Sequence, residues 1–207
     1  SVLMLIGVSY GFKSFERNKD WKSEYDLYLA DVENSPNSAR THYRLGMAYM
    51  KERAILAKTK EVKNQWLRKA VGELKKAIAI YPGYADAQSE LGLAYQRLGY
   101  QDLAIERYQT VLDKKPTHKV TLNNMGTVLF EKGKFEKAEE FFLRAIESDP
   151  RYIDAMGNLA SCYGTTGKYG EAIYWFMKAH ELEPKNASYC YFIGITYQRM
   201  EKSDDAT

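Results

Sequence analysis

The sequence is poor in the residues on which catalysis, metal binding and covalent cross-linking depend. Two cysteines, Cys162 and Cys190, in 207 residues do not make a disulfide framework, and no Cys/His cluster has zinc spacing. They read as two small buried apolar residues. The three histidines, His42, His118 and His180, stand far apart, and no serine or cysteine has a partner whose spacing implies a nucleophile and its base. Gly164-Thr165-Thr166-Gly167-Lys168 lacks the spacing of a phosphate loop. A net charge of +3 is too small to argue for nucleic acid. The residues therefore point to a protein that is not an enzyme and needs no cofactor or metal.

Proline is also scarce, with five in the chain, but its placement is regular. Pro82, Pro116, Pro150 and Pro184 are each 34 residues apart, and Pro36 lies 46 residues before Pro82. Gly99, Gly133 and Gly167 keep the same period, as do Ala70, Ala104, Ala138, Ala172 and Ala206. A fixed period of this length means stacked supersecondary units. Within one period Leu91, Ala94, Tyr95 and Leu98 recur at helical spacing, Gly99 interrupts, and Leu103, Ala104, Tyr108, Val111 and Leu112 resume it before Pro116 ends the unit. Each unit is thus predicted to be two antiparallel helices, drawn close where Gly92 meets Ala104.

The set Leu91, Gly92, Tyr95, Ala104, Tyr108 and Pro116, with Met125, Gly126, Ala138, Phe142 and Pro150 and with Leu159, Ala160, Tyr163, Ala172, Phe176 and Pro184 in the following periods, resembles the tetratricopeptide (TPR) repeat. The resemblance implies an all-α fold, a right-handed superhelical solenoid of helix-turn-helix repeats. Repeats are expected over 37–82, 85–116, 119–150 and 153–184, with a truncated one over 187–207 and apolar or capping helices over 1–36. Beginning at serine and stopping within a helical pattern, the chain reads as a piece of a longer protein.

Residues 1–12, SVLMLIGVSYGF, are shorter than the roughly 20 apolar residues of a membrane span and lack a signal peptide's basic start. Two readings stay open: a buried cap on the first repeat, or the last turns of a membrane helix. Trp21, Tyr25, Leu27, Tyr28 and Val32 mark a helix that Pro36 ends. Arg17, Asn18, Asp20 and Trp21, followed by Leu27 and Pro36, look like the junction of multi-pass mannosyltransferases that carry C-terminal TPRs. That resemblance implies a membrane-tethered protein with its repeats in the periplasm or secretory lumen. Basic Lys13, Arg17, Lys19 and Lys22 point instead to the cytoplasmic side. Asn186-Ala187-Ser188 is a glycosylation sequon.

The first full repeat is 12 residues too long, and the excess lies between Tyr49 and Ala70, where good helix formers dominate and Gly and Pro are missing. Both helices are therefore expected to run on by six residues, roughly 9 Å at 1.5 Å per residue. Nine bases and three acids fall between Lys51 and Lys76. Lys58, Lys60 and Lys63 are the candidate residues of a basic prong for an acidic partner or an anionic membrane.

In the family, first helices line the binding groove. The resemblance places Arg40, Tyr43, Arg44 and Met47 there in one repeat, and Asn123, Asn124, Thr127, Asn158 and Ser161 in two others. Asn124 and Asn158 match the asparagine ladder of O-GlcNAc transferase repeats, which Arg44, Glu90 and Phe192 interrupt. A ladder asparagine can hydrogen-bond both sides of one peptide unit. Gly157 and Gly164 are expected to leave the patch open, with Tyr191, Phe192 and Ile195 as an apolar pocket beside it. The expected partner is a protein or extended peptide, with membrane contact through the N-terminal segment or an upstream region. The alternative is an acceptor-presenting region of a membrane glycosyltransferase.

Overall fold

The computed structural model describes residues 23–204. Among them are ten α-helices, one π turn and no strand. The helices are α1 (Glu24–Asn34), α2 (Ala39–Ala48), α3 (Lys60–Ile80), α4 (Ala85–Arg97), α5 (Gln101–Leu112), α6 (Lys119–Glu131), α7 (Phe135–Ser148), α8 (Ile153–Thr165), α9 (Tyr169–Leu182) and α10 (Ala187–Asp204). The chain divides into two compact units, one through Ala94 and one from Tyr95. The segment 1–12, with its two readings, lies outside the described residues.

In the unit from Tyr95, first and second helices alternate, and the alternation is written in glycine. Gly99, Gly133 and Gly167 have φ of +87°, +71° and +79°, a left-handed conformation that costs a side chain dearly and glycine nothing. Each closes the preceding helix with a six-to-one bond: Tyr100 N–H donates to Tyr95 O, Lys134 N–H to Leu129 O and Lys168 N–H to Tyr163 O, all at 2.9 Å. The chain reverses at once and the next helix starts two residues later. The Gly164–Lys168 segment is one of these turns. Second helices α3, α5, α7 and α9 end within four residues of Pro82, Pro116, Pro150 and Pro184, which cannot donate to the ladder.

The helices meet through small residues. A Cβ added at Gly126 would lie 2.5 Å from the ring of Phe142, and one at Gly46 2.9 Å from Leu74. Ala104, Ala138, Ala145, Ala172 and Ala179 have no exposed surface. Around them Tyr108, Leu122, Met125, Phe142, Met156 and Leu159 form one apolar cluster, continuous along the stack as expected of repeats that bury their faces on neighbours.

In the unit through Ala94, Leu45, Met50, Leu67 and Leu74 form the core. Helix α1 has no fully buried residue and is held by aromatic contacts. Tyr25 lies 5.5 Å from Tyr49 and 6.3 Å from Trp66, Tyr49 stacks on Trp66 at 5.5 Å, and Arg53 and Lys69 cap the cluster at 4.0 Å from Tyr25 and 4.3 Å from Trp66. Buried His42 spans Glu73 at 2.6 Å and the Pro36 carbonyl at 2.8 Å, tying the start of α2 to α3.

The expected twin extension of helices is corrected here. Helix α2 passes into a π turn, Tyr49–Arg53, closed by Ala54 N–H to Tyr49 O at 2.9 Å, and residues 54–59 leave the helix. Tyr49, Met50 and Ala54, in and just after the π turn, are buried in the core. Thr59 then caps α3 by accepting from Val62 N–H at 3.3 Å. Only α3 is longer at this end: it begins seven residues ahead of the position that opens α5, α7 and α9, about 10 Å at 1.5 Å per residue.

The close approach sets a pair of opposite expectations. Gly126→Ala forces Cβ into buried Phe142 and destabilises by about 1–3 kcal/mol. Gly164→Ala meets only Ala172 Cβ at 3.8 Å and stabilises by about 0.5–1 kcal/mol. Thermal melts followed by circular dichroism decide it: midpoints that move in the same direction overturn this packing.

Candidate peptide-binding face

Helices α6 and α8 turn Leu122, Met125, Leu159 and Ala160 into the core. The residues between these positions fall on another side of each helix, and there the polar side chains gather. Asn158 Nδ2 donates to Asn123 Oδ1 at 2.9 Å and to Thr127 Oγ1 at 3.4 Å. Thr127 Oγ1 donates to the Asn123 carbonyl at 3.0 Å, and Ser161 Oγ to the Gly157 carbonyl at 2.8 Å. Asn123 is only 7% exposed, so its amide is a link between repeats rather than a free contact. Asn124 is half-buried and makes no hydrogen bond to a described residue. Its carbonyl and amino groups are both open, as is Asn158 Oδ1 among the described residues.

The structure thus brings Asn123, Asn124, Thr127, Asn158 and Ser161 onto one face. The apolar trio is placed differently. Phe192 stacks on Phe176 of α9 at 5.4 Å, and Tyr191 tilts against Phe192 at 5.8 Å, so Phe192 belongs to the α9–α10 contact. Ile195 is half-buried. The α10 residue nearest the space over Gly157 is Tyr189, 3.7 Å from an added Cβ, and burial raises its hydroxyl pKa. Tyr189 sits two positions from Tyr191, on the side of α10 that helical spacing turns toward α8; that phase was the available signal. Gly164 faces Ala172 of α9, not the polar patch, because it is part of the contact between α8 and its own second helix.

In the other unit the first-helix face is cationic and aromatic. Glu24, Tyr28, Tyr43, Arg44, Met47 and Lys51 surround a cavity of about 200 Å³. The Arg44 guanidinium lies 5.7 Å from the Tyr28 ring centre, and Tyr43 packs on Tyr84 at 5.0 Å. Burial first, then the carboxylates Glu90 and Asp86, raise the Tyr43 pKa strongly, so its hydroxyl remains a donor. Lys58, Lys60 and Lys63 are exposed and lie at or beside the start of α3. Among the described residues no group of three or more His, Cys, Asp or Glu could hold a metal, and no helix is long and apolar enough to cross a membrane.

Residues 119–185 match the family model described as Tetratricopeptide repeat. The human Protein O-mannosyl-transferase TMTC3 is 23% identical over 159 residues, 70% of this chain and 16% of that protein. The chain spans less than a third of the length of the curated relatives it matches. Among solved structures, MamA is 26% identical with a TM-score of 0.60, covering 79% of this chain and 89% of MamA. The first TPR of Spaghetti (RPAP3), bound to the HSP90 peptide SRMEEVD, is 26% identical with a TM-score of 0.55, covering 56% of this chain and 93% of that one.

The two cysteines are expected to differ in reactivity. Cys162 is 1% exposed, its thiol donates to the Phe135 carbonyl at 3.5 Å, and burial pushes its pKa up to about 11; Cys190 is exposed. A thiol reagent at neutral pH should modify Cys190 alone, and both after denaturation. Mass spectrometry that finds Cys162 modified in the folded protein overturns this assignment.

Proposed function

Because this chain belongs to the tetratricopeptide-repeat family, we propose that it binds an extended segment of a partner protein along the first helices of its repeats. The observation that carries the reading is the state of the two ladder asparagines. Asn124 is open at both ends of its amide, and Asn158 is held by Asn123 and Thr127 with its carbonyl oxygen turned free. Two such groups on adjacent helices suit the alternating N–H and C=O groups of an extended backbone. A backbone is common to all sequences, so this contact supplies affinity with loose sequence preference. The Spaghetti repeat's HSP90 peptide supports the class of ligand, though not its acidic character, since a Lys/Asn/Asn/Lys/Arg clamp is missing from the matching positions. The chemistry is non-covalent and uses no cofactor.

The likeness to TMTC3 favours a second reading. In it these repeats are part of a longer membrane glycosyltransferase and present acceptor protein to a catalytic region elsewhere. That arrangement would put them on the luminal or periplasmic side. Both readings share the same groove and differ in what happens to the bound segment.

The test is a peptide selected from a displayed library on the full chain, then titrated calorimetrically into Asn124→Ala/Asn158→Ala. Affinity is expected to fall by about 1–3 kcal/mol, the scale of removing hydrogen bonds to groups left buried, with the helical spectrum intact. Unchanged affinity moves the site off this face.

A further inference from the structure

The two most exposed large apolar side chains among the described residues are neighbours in sequence. Ile55 is 67% exposed and Leu56 75%, and both lie in the 54–59 loop. The loop is not a loose strand. Ala54 is 2% exposed and anchors one end, Leu56 N–H donates to Glu52 O at 3.1 Å, and the Thr59 cap fixes the other end to α3. Two adjacent branched aliphatics are therefore held out in water by a braced turn, and burying them would be favourable. Val62, in the first turn of α3, is 39% exposed.

Lysines flank the Ile55–Leu56 pair. Lys51, Lys58, Lys60 and Lys63 are all exposed, and none makes an ion pair with a described residue. The acids in the same stretch are Glu52 and Glu61, and its fifth base, Arg53, lies 3.8 Å from Asp26. We propose that this loop is a peripheral membrane-binding tip, in which Ile55 and Leu56 enter the outer acyl region of an anionic bilayer while the lysines hold its headgroups.

The chemistry favours a bilayer over a protein surface. The apolar side chains of the tip are aliphatic, without a ring or hydrogen-bonding group to set one orientation. The charges are lysines, flexible point charges that reach out along apolar stems, rather than the planar forks that read a carboxylate. Attraction falls off within a Debye length and adds about fivefold in partitioning per lysine near a phosphatidylserine-rich surface. Two inserted aliphatics alone bind weakly, so charge and insertion must act together and binding is reversible. The asparagine face of α6 and α8 is built from other residues; Lys51 alone also lines the cavity beside Tyr28 and Tyr43.

The test uses the full chain and large unilamellar vesicles, either phosphatidylcholine alone or with about 30% phosphatidylserine. The parent should co-sediment with the anionic vesicles and not the neutral ones, and lose binding as salt rises. Lys58→Glu/Lys60→Glu/Lys63→Glu should weaken binding by about a hundredfold, at fivefold or more per lysine. Ile55→Ser/Leu56→Ser should weaken it at least tenfold with the lysines intact. Both variants should keep the parent's helical spectrum, since exposed positions contribute little to stability. Leu56→Trp should add a fluorescence component that brominated acyl chains quench. A parent that ignores anionic vesicles overturns the proposal. So does an Ile55/Leu56 variant that binds as the parent does, which would hand the contact to another segment or to charge alone. An unquenched Leu56→Trp also overturns it, and an acidic protein then becomes the occupant to seek.

Discussion

A single left-handed residue decides where the first helices α4, α6 and α8 stop. At Gly99, Gly133 and Gly167 positive φ lets the chain reverse within three residues, and the second helix is delivered onto the face that carries the preceding leucine and small residue. The register of this position can be carried to the other repeats. Counting from the start of α2 it falls on Arg53, and from the start of α10 on Glu201. Neither residue takes that conformation cheaply. At Arg53 the chain widens into a π turn and wanders for six residues before α3 is capped; at Glu201 α10 continues to Asp204. The same missing glycine thus accounts for both departures from the regular unit. It also accounts for the projecting tip, because a three-residue turn would have left no loop on which Ile55 and Leu56 could stand.

Once the turn is set, packing distributes the faces. Phe142 lies so near Gly126 that only a glycine fits there, and the second helix then covers one side of the first while the next first helix covers another. The remaining side keeps its polar residues. Asn123, buried and bonded to Asn158, shows what sharing that side between neighbours means: an amide that would serve a ligand is instead spent on fixing the spacing of α6 and α8. This cross-link holds Asn158 in place and leaves Asn124 uncommitted. Exposed ion pairs such as Lys132–Asp102 at 2.8 Å and Lys168–Glu139 at 3.0 Å also join successive repeats, but in water each contributes little.

The period, the two-helix unit and the all-α fold were legible in the sequence because each rests on backbone chemistry that one residue type performs best: glycine at the reversal, alanine at the crossing, proline after the end. Periodicity also put the asparagines on one face. What it could not supply was the competition among contacts. The helix formers between Tyr49 and Lys60 promise continuous helix, yet the chain widens into the π turn at Tyr49–Arg53 and leaves the helix over 54–59. Phe192 occupies a groove position by count, but the Phe176 ring beside it draws it into a stack. Tyr189 was passed over because it stands outside the counted positions. Each miss is a case of tertiary packing deciding between local options of similar energy.

The two first-helix faces also differ in what they can distinguish. In the unit from Tyr95 the open groups are neutral amides, which in the proposed mode would meet a peptide bond whatever side chains it carries. In the unit through Ala94, Arg44 and Lys51 stand beside Tyr28 and Tyr43. Tyr43, kept protonated by burial and by nearby carboxylates, can donate to an acceptor there. A neutral ladder gives affinity that salt hardly changes, since no charge is brought together. A cationic, ring-lined hollow gives selectivity for acidic or carbonyl-rich groups and loses it as ionic strength rises. Salt dependence therefore separates the two faces by physics alone. On the proposed reading, a ligand whose affinity survives high salt is held by the amides, and one that is released depends on the cationic face or the lysine-flanked tip.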